Sequence, residues 1–208
     1  MDRHVTFFYA PQTRASGTLA LLEALQADYD IHMLDLKAGT QRQPAYLAVN
    51  AMGKVPAARH GDAVVTEQVA VTIFLADLYA DRGLAPALDD PLRGPYLRWI
   101  AFYGSCFEPA VVDRSLQRDA GDPTSSHYGS YDAVIDALAA QLAEGPWLLG
   151  DRFSAADVLW GTALAWTLQF GLVPDRPVFR DYAARVAAVP AIEHAARLDA
   201  AHAARQAA

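Results

Sequence analysis

Two short runs carry the residues best suited to chemistry: Gly53-Lys54-Val55-Pro56 and, after a short gap, Thr66-Glu67-Gln68. An X-Pro bond is the only kind that adopts the cis form at small cost, so Pro56 ahead of a strand can turn the N–H and C=O of Val55 outward. A peptide ligand can pair with those groups as an added strand. Thr66 is expected to cap a helix whose first positions are Glu67 and Gln68, with free N–H groups and a positive dipole end facing outward. Such an end suits a carboxylate. Each residue also has an ordinary reading: Glu67 complementing its helix dipole, Gln68 solvated in the first turn, Lys54 facing water, Pro56 trans in a loop.

The elements around these runs are legible from periodicity. Val5 to Tyr9 is an apolar run ended by Pro11 and reads as a buried parallel strand. Leu19, Leu22 and Leu25 recur at helical spacing after Gly17, and Ile31 to Leu36 reads as a second strand, which makes a strand-helix-strand unit. Pro44 to Val49 reads as a short helix, residues 57–59 and 63–65 as a hairpin around Gly61-Asp62, and Val69 to Tyr79 as a closing helix. The Gly, Pro and Asp content of 81–90 marks a linker between a domain at 1–80 and one at 91–208. The second domain is expected to be all helical. Leu92, Tyr96, Trp99, Ile100, Tyr103 and Phe107 share a helix face that Pro109 should kink or end. Tyr131 to Leu142 gives another helix. Ser154 and Asp157 form a capping box before an apolar, buried helix, with Phe153 ahead of it. Two further helices follow, and the Ala-rich tail from Asp199 is expected to fray.

Composition narrows the function. A chain of 208 residues, 53% hydrophobic with four Trp, can bury a core without staples. A net charge of −7 argues against nucleic acid or an anionic membrane as partner. The single cysteine, Cys106, excludes an internal disulfide or a Cys-based zinc cage and fits a cytoplasmic location. The six His lack paired ligand spacing, so no metal is expected. No long apolar run follows Met1, and neither a signal peptide nor a membrane span is expected.

Gly53-Lys54-Val55-Pro56 followed by Thr66-Glu67-Gln68 resembles the glutathione-binding half of the cytosolic, bacterial-type glutathione transferases, whose usual form is Val-Pro followed by Glu-Ser. Gln68 stands where that family commonly has Ser. The Tyr9-Ala10-Pro11 turn, the Ser154-to-Asp157 motif and the chain length fit as well, so the resemblance spans nearly the whole sequence. It implies a thioredoxin-like α/β N-terminal domain (βαβαββα) and an all-α C-terminal helical domain. It also implies glutathione as co-substrate and a homodimer. Gln68 would take the γ-glutamyl carboxylate, Glu67 the ammonium, and Lys54 the glycyl carboxylate, with Arg14 and Arg42 as lesser candidates.

The resemblance places the thiolate-stabilising group near the end of the first strand, where Tyr9, Thr13 and Ser16 offer hydroxyls. Thr13 is the first choice; Tyr9 also reads as a packed strand residue and Ser16 as a helix cap. No Cys lies there, so mixed-disulfide chemistry is not expected. Tyr103, Cys106 and Phe107, at spacings of three and four, are expected to face an electrophile pocket between the domains, with Trp166 and Phe170 opposite. Aromatics at that spacing are also what a core requires. The expected activity is conjugation of the glutathione thiolate to small apolar electrophiles in a detoxification role. The rival readings are a glutathione-dependent peroxidase or disulfide reductase and a non-catalytic binding protein of the same fold.

Overall fold

The computed structural model describes residues 2–207. The chain forms two compact units, Met1–Leu84 with Val189–Ala208, and Ala85–Ala188.

In the first unit, strand β1 (Val5–Tyr9) runs parallel to β2 (Tyr29–Met33) and antiparallel to β3 (Ala57–His60), which pairs antiparallel with β4 (Ala63–Thr66). The sheet order is β2-β1-β3-β4. Helices α1 (Ala15–Ala24), the single turn α2 (Pro44–Leu47) and α3 (Gln68–Leu78) complete the βαβαββα order. The second strand begins two residues before the expected Ile31, because Tyr29 and Asp30 continue the ladder with Val5 and Thr6. It stops at Met33, since Asp35 accepts from the N–H groups of Lys37 and Ala38 and so makes a turn.

Alternation along β1 divides the sheet into two faces. Val5, Phe7 and Tyr9 are wholly buried on the face that the apolar sides of α1 and α3 cover, with Leu19, Leu22, Val71 and Leu75 also at zero exposure. Phe8 points the other way and packs with Leu34, Tyr46, Val49, Val55 and Ala57.

The last helix, α9 (Pro190–Ala207), belongs to this first unit by its contacts and packs along α1. The sequence reading places it with the helical domain and expects fraying from Asp199. In the structure Asp199 lies inside a continuous helix. Its inward stripe is Ile192, Ala195, Asp199, His202 and Gln206, at spacings of three and four. The first two are buried, Asp199 and His202 meet Tyr9, and the Gln206 amide donates to the Leu34 carbonyl at 3.0 Å.

The second unit is all helical: α4 (Arg93–Phe102), α5 (Glu108–Ser115), α6 (Tyr131–Ala143), α7 (Ala155–Gln169) and α8 (Pro177–Ala187). Between α4 and α5, Tyr103–Phe107 form a π turn rather than a break. Pro109 has no N–H and its ring crowds the carbonyl four residues back, so the ladder widens for one turn and then resumes. The capping box at Ser154 and Asp157 is present. Asp157 is fully buried and accepts from Ser154 twice, from the Leu148 N–H and from the Tyr182 hydroxyl. Burial pushes its carboxyl above the usual range despite these donors.

Candidate functional site

The register of the first sheet brings the singled-out runs of the first unit to one end. Phe8 pairs with Ala57, so Val55 and Pro56 lie beside the end of β1 and the turn that follows it. Ala57 pairs in turn with Thr66, which sets Glu67 and Gln68 next to the same edge. The side-chain amide of Gln68 donates to the Arg14 carbonyl at 3.1 Å and fixes the start of α3 against the start of α1.

The Val55–Pro56 bond is cis, as its sequence context predicts. Among the described residues, no hydrogen bond engages the Val55 N–H or C=O. The loop ahead of it is held from below by two residues the sequence reading overlooks. The Tyr46 hydroxyl donates to the Lys54 carbonyl at 2.6 Å, and the Asn50 amide donates to the same oxygen at 2.9 Å. Burial raises the Tyr46 phenol to about 12, so it stays a donor at neutral pH. Gly53 has φ of 58°, and a Cβ there would stand 2.7 Å from the Gln41 carbonyl oxygen; only glycine fits. The Lys54 side chain is exposed at the loop's rim.

The start of α3 differs by one position from the expectation. Thr66 ends β4, and Glu67 is the residue before the helix, with no side-chain cap bond. Glu67 sits at φ 65° and ψ 120°, where a non-glycine residue is rare. Its carboxylate is thereby exposed at the site end of the sheet. Residues held in such conformations cost roughly 1–3 kcal/mol and cluster at ligand clamps.

Two of the three hydroxyl candidates share an acceptor, and the third has its own. Tyr9 is buried in β1 and donates to Asp199 at 2.5 Å; the His202 ring meets its ring edge-on at 5.6 Å. Burial first, then this carboxylate, pushes the phenol far above its usual value. Ser16 also donates to Asp199 at 2.5 Å, and the N–H of Gln12, at φ 57°, reaches both Asp199 oxygens at 3.2 and 3.3 Å. Thr13 donates to the Ala10 carbonyl at 2.7 Å and accepts from the Ala15 N–H at 3.1 Å. Asp199, like Tyr46 and Asn50, is a residue that sequence reasoning missed.

Cys106, Tyr103, Phe107 and Trp166 belong to the second unit. Tyr103 and Phe107 are 1% and 0% exposed, stack on each other at 5.8 Å and pack against the Trp160 ring at 5.4 and 4.9 Å. The π turn carries both rings into the core of their unit. Cys106 is half-buried, with its sulfur 3.5 Å from the Ser105 hydroxyl, and Trp166 is half-buried on α7. Phe170 is exposed at the end of α7. Among the described residues no cluster of three or more His, Cys, Asp or Glu is arranged to hold a metal, and no helix is long and apolar enough to cross a membrane.

A four-stranded mixed sheet with this helix order, joined in one chain to an all-helical unit, defines a thioredoxin-like domain followed by an all-α domain. Residues 4–77 match the family model for the glutathione S-transferase N-terminal domain, and residues 109–185 match one for the C-terminal domain. The chain belongs to the glutathione S-transferase family. It is 30% identical to glutathione S-transferase PARB of Nicotiana tabacum over 158 residues, covering 70% of this chain and 73% of that one. Among solved structures it resembles a glutathione transferase from Methylococcus capsulatus, with a TM-score of 0.80, 27% identity and 95% and 99% of the two chains covered. A sphingomonad glutathione S-transferase complexed with glutathione gives a TM-score of 0.78 at 27% identity, covering 94% and 98%.

Proposed function

We propose that the chain binds glutathione at the end of its first sheet and transfers the thiolate to small apolar electrophiles. One observation carries the reading: the Val55 backbone, whose N–H and C=O have no hydrogen-bond partner among the described residues, the start of α3 at Glu67 and Gln68, and the turn after β1 that holds Thr13 lie at the same end of the sheet. The cysteinyl backbone of the tripeptide pairs with Val55 as an added strand. Its γ-glutamyl carboxylate lies at the first N–H groups of α3, Glu67 takes the ammonium, and Lys54 meets the glycyl carboxylate. In the reaction the thiol gives up its proton and the sulfur forms a new S–C bond. A leaving group departs with its electron pair, or, on an activated alkene, the adjacent carbon takes up a proton.

The partners of the hydroxyls rank them as thiolate donors. Recruiting Tyr9 or Ser16 means giving up a bond to a carboxylate, roughly 1.5–3 kcal/mol, whereas turning Thr13 gives up a neutral bond, roughly 0.5–1.5 kcal/mol. Thr13 is the cheapest to recruit. The same three bonds support a second reading, a protein that holds glutathione without activating it, since each hydroxyl proton is already donated internally.

Glutathione-agarose retention followed by conjugation assays over a panel of electrophiles tests both. Retention with turnover supports the transferase, retention without turnover supports the binding protein, and no retention contradicts both. Family membership and the exposed apolar side chains of Met52 and Val64 support a homodimer, which light scattering would register as twice the chain's mass.

A further inference from the structure

The carboxylate of Asp199 holds the turn after β1 at three points. The Tyr9 hydroxyl reaches it from the end of the strand and the Ser16 hydroxyl from the first turn of α1, both at 2.5 Å. Between them the Gln12 N–H points at both carboxylate oxygens, at 3.3 and 3.2 Å, from 187 positions away in the sequence. Gln12 directly precedes Thr13, and at φ 57° it occupies the left-handed region that a residue with a Cβ rarely enters. Thr13 is bonded within the turn: its hydroxyl donates to the Ala10 carbonyl and accepts from the Ala15 N–H, and its carbonyl accepts from the Ser16 N–H at 3.0 Å. The turn's internal bonds fix its shape. Its seat is fixed from outside, by α9.

The charge and the geometry of Asp199 act on a bound thiol with opposite signs. A carboxylate beside the turn disfavours a second negative charge nearby, so its charge alone would raise the pKa of a thiol bound there. Its hydrogen bond to Gln12 works the other way, because it steadies the backbone that carries the Thr13 hydroxyl. A donor held about 1 Å out of place forfeits much of its effect on a reacting atom. The opposite signs make the two contributions separable by substitution.

We propose that Asp199 is a positioning residue for thiol activation: through the Gln12 N–H it seats the turn so that the Thr13 hydroxyl meets the glutathione sulfur. This rests on the preceding functional reading, in which Thr13 is the donor, and extends it to a carboxylate on α9.

The test is the thiolate absorbance of bound glutathione against pH, in the full chain, with each variant shown to be folded by circular dichroism at the assay temperature. Asp199→Asn removes the charge and keeps an acceptor oxygen for Gln12, so its midpoint should lie at or below the parent's. Asp199→Ala removes both, and its midpoint should rise by about one pH unit or more, a tenfold loss of preference for the thiolate. Below the midpoint its kcat should fall by a similar factor, while KM for glutathione changes by less than about threefold, since Val55 and the start of α3 are untouched. Where Asp199→Ala does not fold, the pair Tyr9→Phe/Asp199→Ala replaces it, because Tyr9→Phe removes the hydroxyl that the other change leaves buried without its acceptor. Its reference is Tyr9→Phe, and the same rise is expected. A midpoint at or below the reference in the alanine variants would overturn the proposal, as would Asp199→Asn rising as far as Asp199→Ala. Thr13→Val separates the failures. If it moves the midpoint and Asp199→Ala does not, the positioning role fails and the functional reading stands; if it does not, or if the parent does not bind glutathione, both fail.

Discussion

Removing the carboxylate of Asp199 should loosen the first unit by a predictable amount. Asp199→Ala strips the acceptor from the Tyr9 hydroxyl, the Ser16 hydroxyl and the Gln12 N–H together. Each bond to a charged acceptor contributes roughly 1.5–3 kcal/mol, but the three do not add, because Gln12 is exposed and Ser16 half-buried, so water replaces the carboxylate there. Tyr9 is wholly buried and loses its partner outright. The expected net cost is about 2–4 kcal/mol, equivalent for a chain of this size to a fall in Tm of about 5–15 °C. Asp199→Asn keeps one acceptor oxygen and should cost about half as much. Thermal and urea unfolding followed by circular dichroism give the numbers, and a cycle with Tyr9→Phe should return a coupling of about 1–3 kcal/mol. A Tm for Asp199→Ala within about 2 °C of the parent would refute the idea that α9 is tied to β1 through this carboxylate.

Other positions yield sharper contrasts. Glu67→Ala and Glu67→Gly should both lose glutathione affinity by about tenfold or more, while the glycine variant, with no Cβ at φ 65°, should be the more stable by about 1 kcal/mol; calorimetry and urea titration separate the two effects. A Cβ on Gly161 would lie 2.4 Å from Val186, so Gly161→Ala should destabilise the second unit by about 1–3 kcal/mol, and Val186→Ala added to it should recover part of that loss in the same urea assay. The side-chain bond to Asp28, helped by Asp30, raises the pKa of His4. A group raised on folding contributes its stability below the ordinary value of 6.5 and loses it as pH rises through the raised value. The parent's advantage over His4→Gln in urea midpoint should therefore shrink across that rise; an advantage that grew with pH would reverse the sign.

Much of this layout is readable in the residues, for local reasons. The run Val5–Tyr9, the proline after Val55 and the pair Ser154 and Asp157 each act through neighbours within a few positions, so periodicity and capping rules reach them. Tyr103 and Phe107 show the limit of that information. Helical spacing says that two aromatics share a face, but not whether a tryptophan at 160 fills the space in front of them. Asp199 is the same problem at greater range. Its stripe with Ile192, Ala195, His202 and Gln206 is periodic, yet its later members are polar, and an apolar pattern search passes over them. What makes that stripe a contact face is a tyrosine 190 positions earlier. The start of α3 is misread by one residue because Thr66 is a good cap by type, while the unusual backbone at Glu67 is imposed by the strand before it and the helix after it.

The ultraviolet absorbance of the thiolate of bound glutathione, titrated against pH, tests the functional account most directly. Lowering a thiol from about 8.5 by about two units requires roughly 2.7 kcal/mol of preference for the thiolate, much of which one hydroxyl donor can supply. The Thr13 hydroxyl needs to surrender only the Ala10 carbonyl to do so. Thr13→Ser should leave the midpoint near the parent's, Tyr9→Phe and Ser16→Ala should leave it in place while lowering stability, and Thr13→Val should move it up toward that of free thiol. A midpoint unmoved in Thr13→Val would contradict the assignment of this hydroxyl to the sulfur.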